Sequence, residues 1–311
     1  MAEQTRMSLP SRIMPALMRL RGANKKYLTR EHVRRHLEEL AVRPRPQNPP
    51  KRLRKDIEIS ATWHQGWRTY TITPAGTAPR ASVIYLHGGA WIHEAATPHW
   101  KLAQQLAAEA GVSVIFPAYP LAHEAGCAET VVPYIADLYQ SAENPVALMG
   151  DSSGGSIAMS TTLLLKQRGV DVPLTTLISP ALDLRFGNPD IDALQPYDPW
   201  LVKKGQLEVA EMWIGEHGED PILNPFLGDL QGLGKLQIFC GTRDLLNPDA
   251  RLFVDRARSE GVEVDYQELD GQLHVYPLLP TPEGKRARAL IVRTLAQTVV
   301  AHQGVRLAGP E

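Results

Sequence analysis

Apolar positions along this chain change their period, and the changes divide it. Ile13, Leu17, Met18, Leu20, Tyr27, Val33, Leu37 and Leu40 recur at helical spacing, interleaved with arginine and lysine. They predict two amphipathic helices. Four prolines between positions 44 and 50 then form a connector that cannot continue a helix. From Asp56 the period falls to two, with Ile57, Ile59 and Ala61, then Trp67, Tyr70 and Ile72, which predicts two antiparallel strands joined around residues 63–66. The run at 82–87 is continuously apolar and β-branched, as in a strand buried on both faces of a sheet. Strand-like runs at 112–116, 146–149, 174–178, 236–240 and 262–267 then alternate with helix-like runs at 98–110, 130–142, 156–168, 248–260 and 285–300. Such alternation predicts an α/β fold with a mostly parallel sheet covered by helices on both faces.

One segment interrupts the alternation. Residues 185–234 carry Gly187, Pro189, Pro196, Pro199, Pro221 and Pro225 around a single helix-like run at 201–214, with no clear strand. They read as an insertion, and insertions at the carboxyl ends of sheet strands tend to cover a site there. The expected organisation is therefore an N-terminal part, 1–55, of cap helices and connector, then a body, 56–311, carrying a cap insertion at 185–234.

Charge sharpens this division. Residues 1–55 hold 15 Lys and Arg against 4 Asp and Glu, leaving 18 against 30 in the remainder, so a basic head faces an acidic body. The expectation is that the head's apolar face packs on the body as part of a lid; peripheral contact with a membrane surface is the rival. Of 311 residues, 43% are hydrophobic and 22% charged, ordinary for a globular protein. No apolar run reaches the roughly 18 residues of a membrane span, and no signal-peptide core opens the chain, so a cytoplasmic location is expected. The two cysteines, Cys127 and Cys240, are far apart and form no metal-ligand spacing. No cofactor, metal or nucleic-acid partner is expected, and a homodimer is compatible with the sequence.

The candidate chemistry begins at Gly150-Asp151-Ser152-Ser153-Gly154-Gly155, which follows a strand-like run and precedes a helix-like one. A serine centred in G-x-S-x-G in that context forms a nucleophile elbow, with its hydroxyl projecting from the sheet edge. In open-sheet hydrolases an acid and then a histidine follow in chain order. Three histidines follow Ser152: His217 in the insertion, His302 in the last helix, and His274 in a loop just after the last strand. His274 is the expected general base. Asp244, just beyond the strand ending at Cys240, is favoured as its acid, and Asp183 is the competitor. Hydrogen-bond donors for an oxyanion would come from the backbone of Gly88, Gly89 and Ala90 after the 82–87 strand, with the Ser153 N–H. Trp91 and Tyr119 are placed in the substrate pocket, with Trp200 and Trp213 of the insertion on the same side.

Together, H-G-G-A-W at 87–91, Tyr119 to Glu124, G-D-S-S-G-G at 150–155, the segment 177–183, G-T-R-D-L-L at 241–246 and His274 resemble the hormone-sensitive-lipase-like family of α/β-hydrolase carboxylesterases. The resemblance covers the chain from about Asp56 onward. It implies an α/β-hydrolase fold, Ser152, Asp244 and His274 as a triad, and a cap built from the N-terminus and an insertion. Ala90 stands where the family usually has a third glycine, Ser153 where it usually has alanine, and Pro120 and His123 alter a Y-R-L-A-P-E segment. The function expected is a serine esterase acting on short to medium acyl esters of small molecules. The alternatives are an aryl formamidase, whose relatives carry a similar H-G-G-x-W loop, and a non-catalytic small-molecule receptor.

Overall fold

A computed structural model describes residues 7–308, with side chains described through residue 303. Eight strands form one sheet in the order β1-β2-β4-β3-β5-β6-β7-β8. The first two, β1 (Ile57–His64) and β2 (Trp67–Pro74), are the antiparallel hairpin that the period-two pattern predicts. The other six run parallel to one another: β3 (Ser82–Leu86), β4 (Ser113–Pro117), β5 (Pro145–Asp151), β6 (Leu174–Ile178), β7 (Lys235–Gly241) and β8 (Val264–Leu269). Every residue of β3 is buried, which is why its sequence carries no polar alternation. Removing such a side chain from water is worth about 1.5–3 kcal/mol for a Val, Ile or Leu.

Helices α3 (Thr97–Ala110) and α9 (Pro282–Ala308) cover one face of the sheet, sharing a core with Tyr85, Phe116 and Phe239. Helices α4 (Ala128–Ser141), α5 (Ser153–Gln167) and α8 (Asn247–Ser259) cover the other. Because the parallel strands pair in register, Leu86 opposite Gly150, Asp151 opposite Ile178 and Gly241 opposite Leu269, their carboxyl ends lie on one edge. The loops that carry the candidate chemistry all leave from that edge.

Above it lie α1 (Leu9–Leu20) and α2 (Arg30–Val42) of the head, with α6 (Asp190–Leu194) and α7 (Lys203–Ile214) of the insertion. The insertion thus holds two helices where one was expected, because α6 is a single turn too short to show a period. Helix α2 behaves as expected: Val33 and Leu40 are buried, and Arg30 and Arg34 pair with Glu208 of α7. Helix α1 does not. Its dock is polar, with Ser8 and Ser11 donating to the Glu283 carboxylate at 2.7 Å each, while Met14 and Met18 pack against the body. The stripe of Leu9, Ile13, Leu17 and Leu20 therefore faces outward, Leu20 at 85% exposure. Glu283 is held down at about 2: burial pushes its pKa up, and the Ser8 and Ser11 donors outweigh it.

Candidate active site

The turn between β5 and α5 places Ser152 in a conformation few side-chain-bearing residues adopt, φ 53° and ψ −119°. Gly150 permits it, since a Cβ there would overlap the backbone of Gly154 as the chain doubles back. The hydroxyl that projects from this turn donates to His274 Nε2 at 2.9 Å. On the far side of the ring, Nδ1 lies 3.0 and 3.1 Å from the two oxygens of Asp244, which fixes the proton on Nδ1 and leaves Nε2 as the acceptor. Both residues are buried, Asp244 completely.

Three backbone links hold these loops at one distance. Arg243 N–H donates to the Gln272 carbonyl at 2.9 Å, Gly271 N–H to Thr242 Oγ1 at 2.8 Å, and Val275 N–H to Ser179 Oγ at 2.9 Å. The acid loop, the histidine loop and the end of β6 are thereby one unit. Burial pulls the His274 pKa down, and the carboxylates of Asp244, Asp198 and Asp151 more than offset this, leaving it above the ordinary histidine value. Asp183, the competing acid, is occupied elsewhere: Arg185 donates to it at 2.9 Å and Asn224 at 3.3 Å. His217 pairs with Glu129 at 2.9 Å, and His302 lies on α9, so neither joins Ser152.

The loop after β3 packs directly on the elbow. A Cβ on Gly88 would overlap the Asp151 carboxylate and come within 3.0 Å of Ser152 Cβ, so only glycine brings the loop this close. Gly89 and Ala90 turn through positive φ, and among the described residues the N–H groups of Gly88, Gly89, Ala90 and Ser153 meet no acceptor. Ser153 opens α5, where unpaired N–H groups and the helix dipole favour negative charge. Asp151 ties elbow to core, accepting from Tyr85 Oη at 2.8 Å and contacting His99 Nε2 at 3.2 Å.

A cavity of about 230 Å³ opens onto Ser152 and His274. Gly88, Gly89 and Ala90 line it, with Trp200 and Leu201 from the insertion and Lys26 and Tyr27 from the head. The placement of Trp91 and Tyr119 in the pocket is corrected here. Neither lines the cavity; both are buried. Trp91 stacks on Trp213 with centroids 5.8 Å apart, so that pair is core, and Trp200, set edge-on to His274 at 5.6 Å, is the aromatic wall. Tyr119 instead supports the loop: its ring stacks on His87 at 4.6 Å and its hydroxyl donates to the His87 carbonyl at 2.6 Å. Ala122 N–H adds a bond to the Trp91 carbonyl at 2.8 Å, so the segment altered by Pro120 and His123 still braces this loop.

Asp198 has no counterpart among the residues that the sequence singles out. It is buried behind the acid, accepting the N–H of Leu245 at 2.8 Å and of Trp200 at 2.7 Å. A lone aspartate in a proline-rich insertion has no pattern to mark it. Burial, and then the charge of Asp244, push its pKa up to about 6.

The family model of the alpha/beta hydrolase fold matches residues 83–278. The chain belongs to the hormone-sensitive-lipase-like α/β-hydrolases. Among curated relatives, a triacylglycerol lipase of Mycobacterium tuberculosis is 30% identical over 73% of this chain, and the match spans about half, 48%, of that lipase. An acetyl-hydrolase of Streptomyces hygroscopicus is 30% identical over 66% of this chain and 72% of its own. A solved esterase of the bacterial hormone-sensitive lipase family superposes with a TM-score of 0.76 at 27% identity, covering 96% of this chain and all of its own. This hydrolase is therefore a carboxylic ester hydrolase by family. Among its described residues no helix is long and apolar enough to cross a membrane.

Proposed function

We propose that this hydrolase is a serine carboxylesterase that cleaves short acyl esters through an acyl-enzyme on Ser152. The observation that carries the reading is the relay itself: Ser152 Oγ at 2.9 Å from His274 Nε2, with His274 Nδ1 at 3.0 Å from Asp244, at the wall of a cavity. His274 takes the Ser152 proton as the oxygen attacks the ester carbonyl, and Asp244 stabilises the imidazolium that forms. The N–H groups of Gly88, Gly89 and Ser153 receive the developing oxyanion, a contribution of ~3–4 kcal/mol per donor where one has been removed from such a site. His274 then protonates the leaving alcohol, and water repeats the sequence on the acyl group.

Short chains are proposed for two reasons. The cavity, about 230 Å³, falls below the ~300–1,000 Å³ usual for drug-sized ligands. Each buried methylene adds ~0.8 kcal/mol only until the space is full. The relative named as an acetyl-hydrolase agrees with this. The head and the insertion act as the cap that closes the space. Hydrolysis of nitrophenyl esters from acetate to palmitate, with N-formylkynurenine beside them, tests the proposal. A maximum at two to six carbons supports it; a maximum at ten or more, or formamide cleavage faster than any ester, overturns it. The formamidase alternative rests on the likeness of the H-G-G-x-W loop at 87–91, and the N-formylkynurenine arm tests it.

A further inference from the structure

The cavity has two chemically distinct sides. Around His274 the wall is apolar, from Trp200, Leu201, Val275, Leu278 and Leu279. The head and the segment after the 88–90 loop add Lys26, Arg45, His93 and Glu94 to the lining, with Gln206 of α7. These belong together in space: Lys26 Nζ lies 2.7 Å from His93 Nε2, and the Tyr27 backbone packs on Gly205, next to Gln206.

Polar groups here are buried without partners. His93 and Glu94 are each 7% exposed and Gln206 5%, yet His93 Nδ1, Glu94 Oε2 and Gln206 Nε2 meet no hydrogen-bond partner. Buried polar atoms in folded proteins are nearly always satisfied, so three unsatisfied groups on residues of one cavity wall set it apart from the apolar side, although the three atoms themselves are shut away behind its surface. Their chemistry is lopsided. Because His93 Nε2 accepts from the Lys26 ammonium, its Nδ1 carries the hydrogen, so His93 and Gln206 offer donors and only Glu94 offers an acceptor. Neither Lys26 nor Arg45 has a carboxylate partner among the described residues. Burial and the nearby Arg45 charge pull the Lys26 pKa down to about 8, as befits a cation with no anion beside it.

We propose that this wall is an anion subsite, and that the preferred substrates are small esters carrying a free carboxylate, held by Lys26 and Arg45. The proposal rests on the ester-hydrolase reading of the same cavity. It specifies what lies beyond the scissile bond: a carboxylate supplies the missing partner of the two cations that line the wall.

The test compares matched esters that differ in one charge. Monomethyl glutarate against dimethyl glutarate places the carboxylate on the acyl side, and 4-acetoxybenzoate against phenyl acetate places it on the alcohol side. In wild type, kcat/KM for the charged member of one pair should exceed its neutral partner by about tenfold, the effect of one charge-assisted hydrogen bond. That ratio should shrink with rising salt, collapse towards one in Lys26→Gln and recover in Lys26→Arg. Ratios at or below one in both pairs, in an enzyme active on phenyl acetate, would overturn the anion subsite alone. Inactivity on every ester would overturn the hydrolase reading beneath it. The wild-type ratios and their salt dependence need no variant, so they decide the matter even where Lys26→Gln folds poorly.

Discussion

At the residue scale, the serine, histidine and acid have separable consequences. Ser152→Ala removes one hydroxyl from a turn whose geometry is set by Gly150, so the fold should persist while nearly all turnover is lost, together with covalent labelling by an organophosphate. Labelling that persisted, or mapped to Ser153 or Ser156, would reject Ser152 as nucleophile. Asp244→Asn should lower kcat by roughly 10⁴, since an amide holds the imidazole in the wrong tautomer. Asp183→Asn should do far less, because Asp183 bonds Arg185 rather than His274. His274 must be neutral to accept the serine proton, and its pKa is raised, so kcat/KM should fall as pH drops, with an inflection above 6.5. Asp198 contributes to that rise, so Asp198→Asn should move the inflection to lower pH. An inflection that stayed in place would show that Asp198 acts only on the backbone it accepts.

At the scale of elements, Tyr119 is the informative side chain, because it joins the segment after β4 to the loop after β3. Tyr119→Phe keeps the stack on His87 and deletes only the donor to its carbonyl, which loosens the loop after β3 without emptying the core. A fall in kcat of about three- to tenfold, with KM little changed, is expected for one lost buried hydrogen bond; a raised KM at constant kcat would place Tyr119 on the substrate instead. That correction shows where sequence stops being legible. The parallel strands could be read because burial on both faces leaves continuous apolar runs, as in β3 and β6. Ser152, Asp244 and His274 could be placed because each stands just past a strand, and strand ends share an edge. Trp91 is misplaced from sequence, and Trp213 undecided, because an indole ring looks the same in sequence whether it packs in a core or lines a pocket. Lys26 and Arg45 were legible as basic residues of the head, and their approach to His93 arises only when α2 and its connector fold over the sheet.

At the scale of the whole molecule, the charge asymmetry between head and body becomes a mechanical join. Arg30 Nη1 and Arg34 Nε reach the two oxygens of Glu208 at 2.8 and 2.7 Å, and Glu208 is only 5% exposed although both arginines reach into solvent. Exposed ion pairs contribute little, but a buried carboxylate stripped of its partners is costly, so this join depends on the head being seated. Helix α1 is fastened separately, through Glu283 on α9, and its outward leucines add nothing to the closure. Replacing Arg30 and Arg34 together with alanine should therefore release α2 and the Lys26–Tyr27 wall from α7 while leaving the sheet intact. Amide exchange should quicken in α2 and residues 25–27, remain slow in β3 and β5, and KM should rise more than kcat falls. High salt should do part of the same to wild type, since the arginines are open to screening. Exchange in α2 that stayed slow in the double variant would mean that Tyr27, Val33 and Leu40, buried against the body, hold the head without the ion pairs.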